Sequence, residues 1–559
     1  MNGARRPLSF YVSRTGECAF LLLIAFWVSG GLGLFPASWI AVFDASPKVH
    51  RKILSLAAIV AVILGLALFE WARRDKEVGS RSFFTRVIAS WKSASDVWII
   101  GFFILFGSWW TASSCLRHEA LRSGFDMAIF TQAVWNTSQC NWFYSSIKGG
   151  INLLGDHFAP ILVFFAIPYS VWADPNLLLL IQAFAAAACV FPLARIVRKS
   201  GQSQAWEVLY CLAFALYLPV RNAVRFEFHP EVAAMPLLFW AFAFLNEKRL
   251  FFASLFLGLA LMAKENIATV AFGFGVYATF FATTTLSTPG VRSCGPEIKH
   301  RVFPLRLWGV GWMVFSVAYF LLVTNHIIPM LSGQPYAYLD GNFTAWIKEG
   351  WKPFLLHIYR PDTFGYLTKI YGPLAFTSVL SPATFILALP TLAQNILSRN
   401  EMTRSIFFQY TATLTPFVFI SSVAALAKVR SYRRYWAYGI LLTSVLFSGV
   451  SEIYPMRRQW ITITPHTSMV KKALSRIPET ASLRTHEFYA AHAANRKELH
   501  IFENNHPREG GSWKARHTDY VAIDRQLLKN GFEDNLIALK SDGYRIEFEE
   551  DGFCVLKRR

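Results

Sequence analysis

The polar side chains between residues 122 and 160 carry the first candidate chemistry. This stretch reads RSGFDMAIFTQAVWNTSQCNWFYSSIKGGINLLGDHFAP and holds Asp126, Gln132, Asn136, Asp156 and His157. A positioned aspartate can take a proton from an attacking hydroxyl, so Asp126 is a candidate general base. Its plainer role is that of a helix-start acid satisfied by backbone amides. Asp156 and His157 are adjacent and could serve as an acid–base pair, as two ligands of a divalent metal, or as a structural hydrogen-bonded pair. A second group follows at Arg221, Arg225, Glu227, His229 and Glu231, and a third at Lys264 and Glu265. Arg221, Arg225 and Lys264 suit a phosphate by charge and reach. Arginines near the ends of apolar segments also serve as interfacial anchors.

The elements that must hold these groups are apolar. The chain has 559 residues, of which 54% are hydrophobic and only 16% charged, a composition that excludes an ordinary soluble enzyme. The net charge of +20 sits largely in short loops between apolar runs, which fits membrane topology rather than a nucleic-acid partner. Apolar runs at about 18–42, 53–71 and 96–114 are separated by Arg73, Arg74, Lys76, Arg81, Arg86 and Lys92. By the positive-inside rule that basic loop is cytoplasmic, the N-terminus is inside and the loop 115–157 is outside. The first run is read as a retained anchor rather than a cleaved signal. Ser123 is placed to cap a short helix with an apolar stripe at Phe125, Ile129, Phe130, Ala133 and Val134. Such a helix suits lying on a bilayer.

The run 159–173 is broken by Pro160 and Pro168. Fifteen helical residues cover about 22 Å, short of the ~30 Å hydrocarbon core, so this run is expected at the interface. Further spans are expected at about 176–197, 205–221, 231–246, 250–263, 266–284, 306–327, 363–380, 383–398, 405–427 and 435–451, thirteen in all. Lys264 and Glu265 divide two of them at a turn sunk below the outer surface. A charge at membrane depth costs on the order of 2.5–3.5 kcal/mol, so each must face protein or water. As sequence neighbours they point apart, and each calls for a different partner. The outer loop 328–362 is rich in aromatics.

From about Ile453 charged residues become frequent and apolar runs shorten. TSMVKKALSRI reads as a helix, ASLRT, LHIF, DYVAI and GYRIEF as strands, and FEDNLIALK as a helix between two of the strands. This predicts a small α/β domain. It contains no Gly-rich phosphate loop or zinc spacing. His486, His492 and Asn495 could be ligands or capping residues. Of the seven cysteines, Cys115 and Cys140 fall on the expected outer loop, where a disulfide could form.

Several of these stretches carry a resemblance. FDMAIFTQAVW at 125–135 and GDHFAP at 155–160 resemble two signatures of a family of polytopic prokaryotic membrane proteins of undefined function. FEFHPE at 226–231, AKEN at 263–266 and the segment Asp519–Asp524 fit it too. The resemblance spans roughly residues 95–559. Met127-Ala128 departs from the leucine–glycine or similar pair expected after the aspartate. The family is grouped with the GT-C glycosyltransferases, which transfer a sugar from a polyprenyl-phosphate carrier at the outer membrane face.

The expected architecture is an all-α polytopic transmembrane bundle of about 13 spans, GT-C-like, with a small C-terminal α/β extracytoplasmic domain. Residues 1–95 form a two-span extension with a basic loop, 96–452 the transmembrane domain with outer loops 115–157 and 328–362, and 453–559 the soluble domain. The resemblance implies glycosyl transfer from a polyprenyl-phosphate-linked donor to a glycan, lipid or protein acceptor. Asp126, Asp156 and His157 are the catalytic candidates. Gln132, Arg221, Arg225, Glu227, His229, Glu231, Lys264 and Glu265 are the binding candidates. A divalent metal at Asp156 and His157 is the one cofactor in view. The alternatives are a transporter or flippase of a lipid-linked or anionic solute, and a non-catalytic scaffold. A transporter should show paired halves with matching broken helices, and no internal repeat is visible.

Overall fold

The computed structural model describes residues 94–281, 297–339, 342–343, 349–429, 432–448, 462–502, 517–528 and 531–559. The two spans expected before residue 96, the basic loop 72–95 and most of the loop 285–305 lie outside the described residues.

Apolar runs become helices because a backbone removed from water must satisfy its polar groups within its own segment. In chain order the principal helices are α1 (Ala94–Glu119), α2 (Phe125–Ser138), α3 (Leu162–Tyr169), α4 (Pro175–Ala187) and α5 (Val190–Lys199). Next come α6 (Gln204–Leu216), α7 (Leu218–Phe226), α8 (Pro230–Asn246), α9 (Leu250–Leu261), α10 (Ile267–Val276) and α11 (Glu297–Leu322). Among the described residues, four stretches are long and apolar enough to cross a bilayer: Val97–Glu119, Pro175–Lys199, Phe303–Ser332 and Gln409–Lys428. The pair α6–α7, bent by 47°, makes a fifth if it counts as one span. Pro230–Asn246, Leu250–Leu261 and Ile267–Phe281 are apolar but shorter. α3 has eight residues, too few to cross, in line with the expectation for 159–173.

One expected pair of spans does not form. The region 363–398 is broken into Pro361–Tyr371, the 3-10 turns Gly372–Leu374 and Thr377–Leu380, and the helices Pro382–Phe385 and Leu389–Leu397. Proline at 373, 382 and 390 removes the amides a continuous helix needs. Ala375 and Phe376 are left-handed, with φ of 51° and 56°, and reverse the chain. Elsewhere small residues let helices touch. A Cβ built at Gly275 of α10 would stand 2.6 Å from the carbonyl oxygen of Gly309 in α11, so both backbones use the missing side chains.

Contacts sort the helix ends into two sets. Arg195–Glu247 at 2.6 Å and Arg198–Glu207 at 2.9 Å join the end of α5, the start of α6 and the end of α8. At the opposite ends, α2, the α7–α8 junction and the α9–α10 turn come together. There Ile161 donates its backbone N–H to the Met262 carbonyl at 2.9 Å.

The C-terminal region forms a five-stranded sheet of β3 (Leu483–Thr485), β4 (Leu499–Ile501), β5 (Tyr520–Asp524), β6 (Tyr544–Glu550) and β7 (Phe553–Arg558). Its order is β4-β3-β5-β7-β6. β3 pairs parallel to β4 and β5, and β7 pairs antiparallel to β5 and β6. The four expected strands and both expected helices are present, and β7 is an addition. The sheet docks on the loop after α2, which contains a two-residue ladder of β1 (Tyr144–Ser145) and β2 (Ile151–Asn152). Ser146 Oγ donates to the Leu499 carbonyl at 2.8 Å and accepts from the Leu499 N–H at 2.7 Å, covering the edge strand β4. The imidazoles of His118 and His492 stack at 3.9 Å, and Lys471 pairs with Glu119. Cys115 and Cys140 are both free thiols, which removes the expected disulfide: Cys115 packs from α1 against the core and Cys140 is exposed after α2.

Candidate functional site

Helix α2 begins one residue later than the sequence suggested. Its N-cap is Gly124, without a side-chain cap, so Ser123 does not play that part. The capping group comes from a distant segment instead. One Glu227 carboxylate oxygen accepts the Gly124 N–H at 2.6 Å, and the other accepts the Met127 N–H at 2.8 Å. Arg117 of α1 lies 3.8 Å from that carboxylate and donates to the Arg225 carbonyl at 3.0 Å. The first turn of α2 is therefore clamped on both sides of Asp126.

Asp126 projects from this turn. Its Oδ2 is 3.4 Å from Nε2 of His229, which precedes α8. His229 is buried between the rings of Phe130 and Phe226, while the Asp126 side chain is 39% exposed. Nδ1 of His229 donates to the Glu227 carbonyl at 3.2 Å, and the His229 N–H is taken by Gln182 Oε1 at 2.6 Å. A carbonyl only accepts, so Nδ1 carries a proton, and attraction to a carboxylate at Nε2 favours a second one there. Burial works against the charge on both partners. For Asp126 it is outweighed by His229, Lys264 and Lys148, leaving the carboxyl below its usual range. For His229 it is outweighed by Asp126 and Glu231, leaving the imidazole above its usual range.

Charges alternate onward from this pair. Lys264 Nζ donates to Glu231 Oε1 of α8 at 2.6 Å. Glu265 turns the other way, as expected for a sequence neighbour. Its Oε1 meets His157 Nδ1 and the Tyr336 hydroxyl, both at 2.9 Å, and its Oε2 accepts the Phe158 N–H at 2.9 Å. Asp156 pairs with Lys148 at 3.0 Å and accepts from the Tyr338 hydroxyl at 3.2 Å. Tyr338 stacks on His157 at 4.4 Å. The fold thus gathers Asp126, Asp156, His157, Glu227, His229, Glu231, Lys264 and Glu265 from four segments into one cluster.

Three expected binding residues are placed differently. Gln132 is buried, and its amide is used by Ser145, Ser146 and Ile147 and by the carbonyls of Arg496 and Lys497. Arg221 donates to the Ser448 carbonyl at 3.0 Å. Arg225 sits on the α7–α8 junction, its carbonyl taken by Arg117. The Asp156 carboxylate is engaged by Lys148 and Tyr338 and Nδ1 of His157 by Glu265, and no cluster of three metal-binding side chains occurs among the described residues. His486 lies beside Asp524 in the sheet, whereas His492 and Asn495 bond to His118, Tyr169 and Ala173 across the docking interface.

Lys148, Tyr336, Tyr338 and Tyr410 join the cluster without having been singled out. The Tyr410 hydroxyl feels Lys264, Glu231 and Asp126. The aromatic loop 328–362 was the available signal for Tyr336 and Tyr338. Nothing in the sequence ties Lys148 to Asp156.

The model of the predicted membrane protein family DUF2079 matches residues 117–555. The chain belongs to this family. All eight gathered residues lie within the matched region. No curated protein matches the chain. Among solved structures, ArnT from Cupriavidus metallidurans bound to undecaprenyl phosphate superposes with a TM-score of 0.50 at 10% identity, covering 83% of this chain and 98% of that one. The apo form of the same ArnT gives 0.48 at 12% identity with the same coverage. The first likeness shows a shared fold.

Proposed function

We propose that this protein transfers a glycosyl group from a polyprenyl-phosphate-linked donor at the outer membrane face, with Asp126 as general base. One observation carries the reading: of the five acids in the cluster, Asp126 has the most exposed side chain, while burial and bonding enclose the others. An ionised, presented carboxylate suits proton abstraction. Asp126 would accept the proton of an acceptor hydroxyl as that oxygen bonds to the anomeric carbon. The bond from that carbon to the phosphate oxygen breaks, and the polyprenyl phosphate leaves with the electron pair. Lys264 and Lys148 both act on Asp126, and each shares its charge with a carboxylate that a leaving phosphate would have to rival. In this reading Gln132, Arg221 and Arg225 belong to the scaffold. The common fold with an undecaprenyl phosphate-binding protein supports the donor class.

The test is lipid analysis of a deletion strain by mass spectrometry. A polyprenyl-phosphate-linked sugar should accumulate and disappear on complementation with the natural chain. Asp126→Asn keeps the shape and removes proton acceptance, so it should restore membrane protein but lower turnover roughly 10²–10⁴-fold. Full restoration by Asp126→Asn would sink the base assignment, and an unchanged lipid pool would sink the donor class.

A further inference from the structure

We infer that Glu227 is the positioning residue of the site: its side chain fixes the turn that carries Asp126, and its main-chain carbonyl aims His229 at Asp126. The inference deepens the reading above and names the residue on which the Asp126–His229 geometry depends.

Glu227 reaches the site through two separate groups. Its carboxylate spans the amides of Gly124 and Met127 at 2.6 and 2.8 Å, on either side of Asp126. These are free donors of a helix N-terminus, so the acid also meets the positive end of α2. The space is close-fitting: a Cβ built at Gly124 would stand 3.2 Å from Glu227 Oε1. The Glu227 carbonyl accepts from both His229 Nδ1, at 3.2 Å, and Gln182 Nε2, at 2.9 Å. Gln182 returns a bond to the His229 N–H. With Nδ1 committed to that carbonyl, Nε2 is left facing Asp126. Glu227 itself is only 5% exposed, so it meets no substrate and acts through its neighbours. Arg117, 3.8 Å away, supplies the counter-charge that lets a buried carboxylate remain in this place.

Glutamine at this position has one accepting oxygen and one donating amide, so in the same pose its NH2 group would face one of the two backbone N–H donors. In Glu227→Gln the first turn should loosen and Asp126 should draw away from His229. The groups that bear on the ionisation of Asp126 are His229, Lys264 and Lys148, which favour its charged form, the like charge of Glu227, which opposes it, and Tyr410 nearby. The substitution leaves the Glu227 carbonyl on His229; it loosens the turn that holds Asp126 against His229 and removes a like charge, which by itself would move Asp126 downward.

The readout is the pH dependence of carbodiimide labelling at Asp126, followed by peptide mass spectrometry on the full chain in detergent. Carbodiimides react with the protonated carboxyl, so the labelling midpoint tracks the protonation of Asp126. Glu227→Gln should move that midpoint upward by about one pH unit, because parting from the His229 cation weighs more on Asp126 than relief from the Glu227 charge; Gly124→Ala keeps that charge and isolates the geometry. Gly124→Ala crowds the Glu227 carboxylate without removing it and should shift the midpoint the same way by less. It is the deciding variant if Glu227→Gln does not yield folded protein. A midpoint unchanged in a folded variant overturns the positioning role. Labelling is independent of turnover, so the two readings can fail separately. A shifted midpoint alongside a fully active Asp126→Asn protein leaves the positioning intact and removes the glycosyl-transfer base.

Discussion

Asp126 and His229 hold each other charged against burial, and this makes a pH-dependent contribution whose sign can be worked out. The folded imidazole titrates above its ordinary value, so its contribution is complete below about pH 6.5 and is lost as pH rises through the folded value. The folded carboxyl titrates below its ordinary value, so its contribution is complete above about pH 3.9 and is lost as pH falls through the folded value. Both are intact between those limits. The Tm gap between the natural chain and His229→Gln should therefore be widest from about pH 4 to 6.5 and narrow on the alkaline side. A gap that keeps widening toward pH 9 would contradict the charged pair. Lys264 forms an ion pair to another helix, 2.6 Å from Glu231. Lys264→Met strands that acid in a buried place and should cost about 3–5 kcal/mol. Fluorescence-detected size exclusion should show a reduced monodisperse peak, and an unchanged yield would free Lys264 for a binding role.

At the scale of elements, α2 joins the two parts of the chain. Its N-terminal turn presents Asp126, and two turns on Gln132 is tied to the carbonyls of Arg496 and Lys497 and to the loop 145–147. The C-terminal sheet thus bears on the same helix that carries the candidate base. Gln132→Leu leaves buried carbonyls and a backbone N–H without that amide, at roughly 1–3 kcal/mol per stranded group. Limited proteolysis in detergent should then release the C-terminal sheet faster than from the natural chain. Equal rates would mean that Ser146 and the His118–His492 stack suffice to dock it.

For the whole molecule, the contacts place the charged cluster and the C-terminal sheet at the same ends of the helices. Arg195, Arg198, Lys199, Lys248 and Arg249 lie toward the opposite ends. The positive-inside rule predicts a cytoplasmic face for those opposite ends, and on that expectation the cluster and the sheet face out. A reporter fused after Arg559 should be active only on the extracytoplasmic side, and one placed in the loop 285–305 only in the cytoplasm. A cytoplasmic C-terminus would carry the cluster with it and end the outer-face reading.

Composition and run lengths alone determined a membrane protein of apolar helices with a small C-terminal α/β region, because apolarity over about 20 residues and short alternating runs are local properties. They also determined that Lys264 and Glu265 need separate partners, since neighbouring residues on a turn diverge. Local reading failed where long-range contacts decide. The proline-broken region 363–398 was read as two spans because hydropathy does not register the loss of amides. Ser123 was read as a cap because the true cap, Glu227, lies about a hundred residues away. Gln132 and Glu227 read as binding groups because a polar residue in an apolar chain stands out, and their buried partners lie too far along the chain to be seen locally. Only the tertiary structure selected Asp126 as the presented acid, since exposure and partner distances belong to the packed molecule.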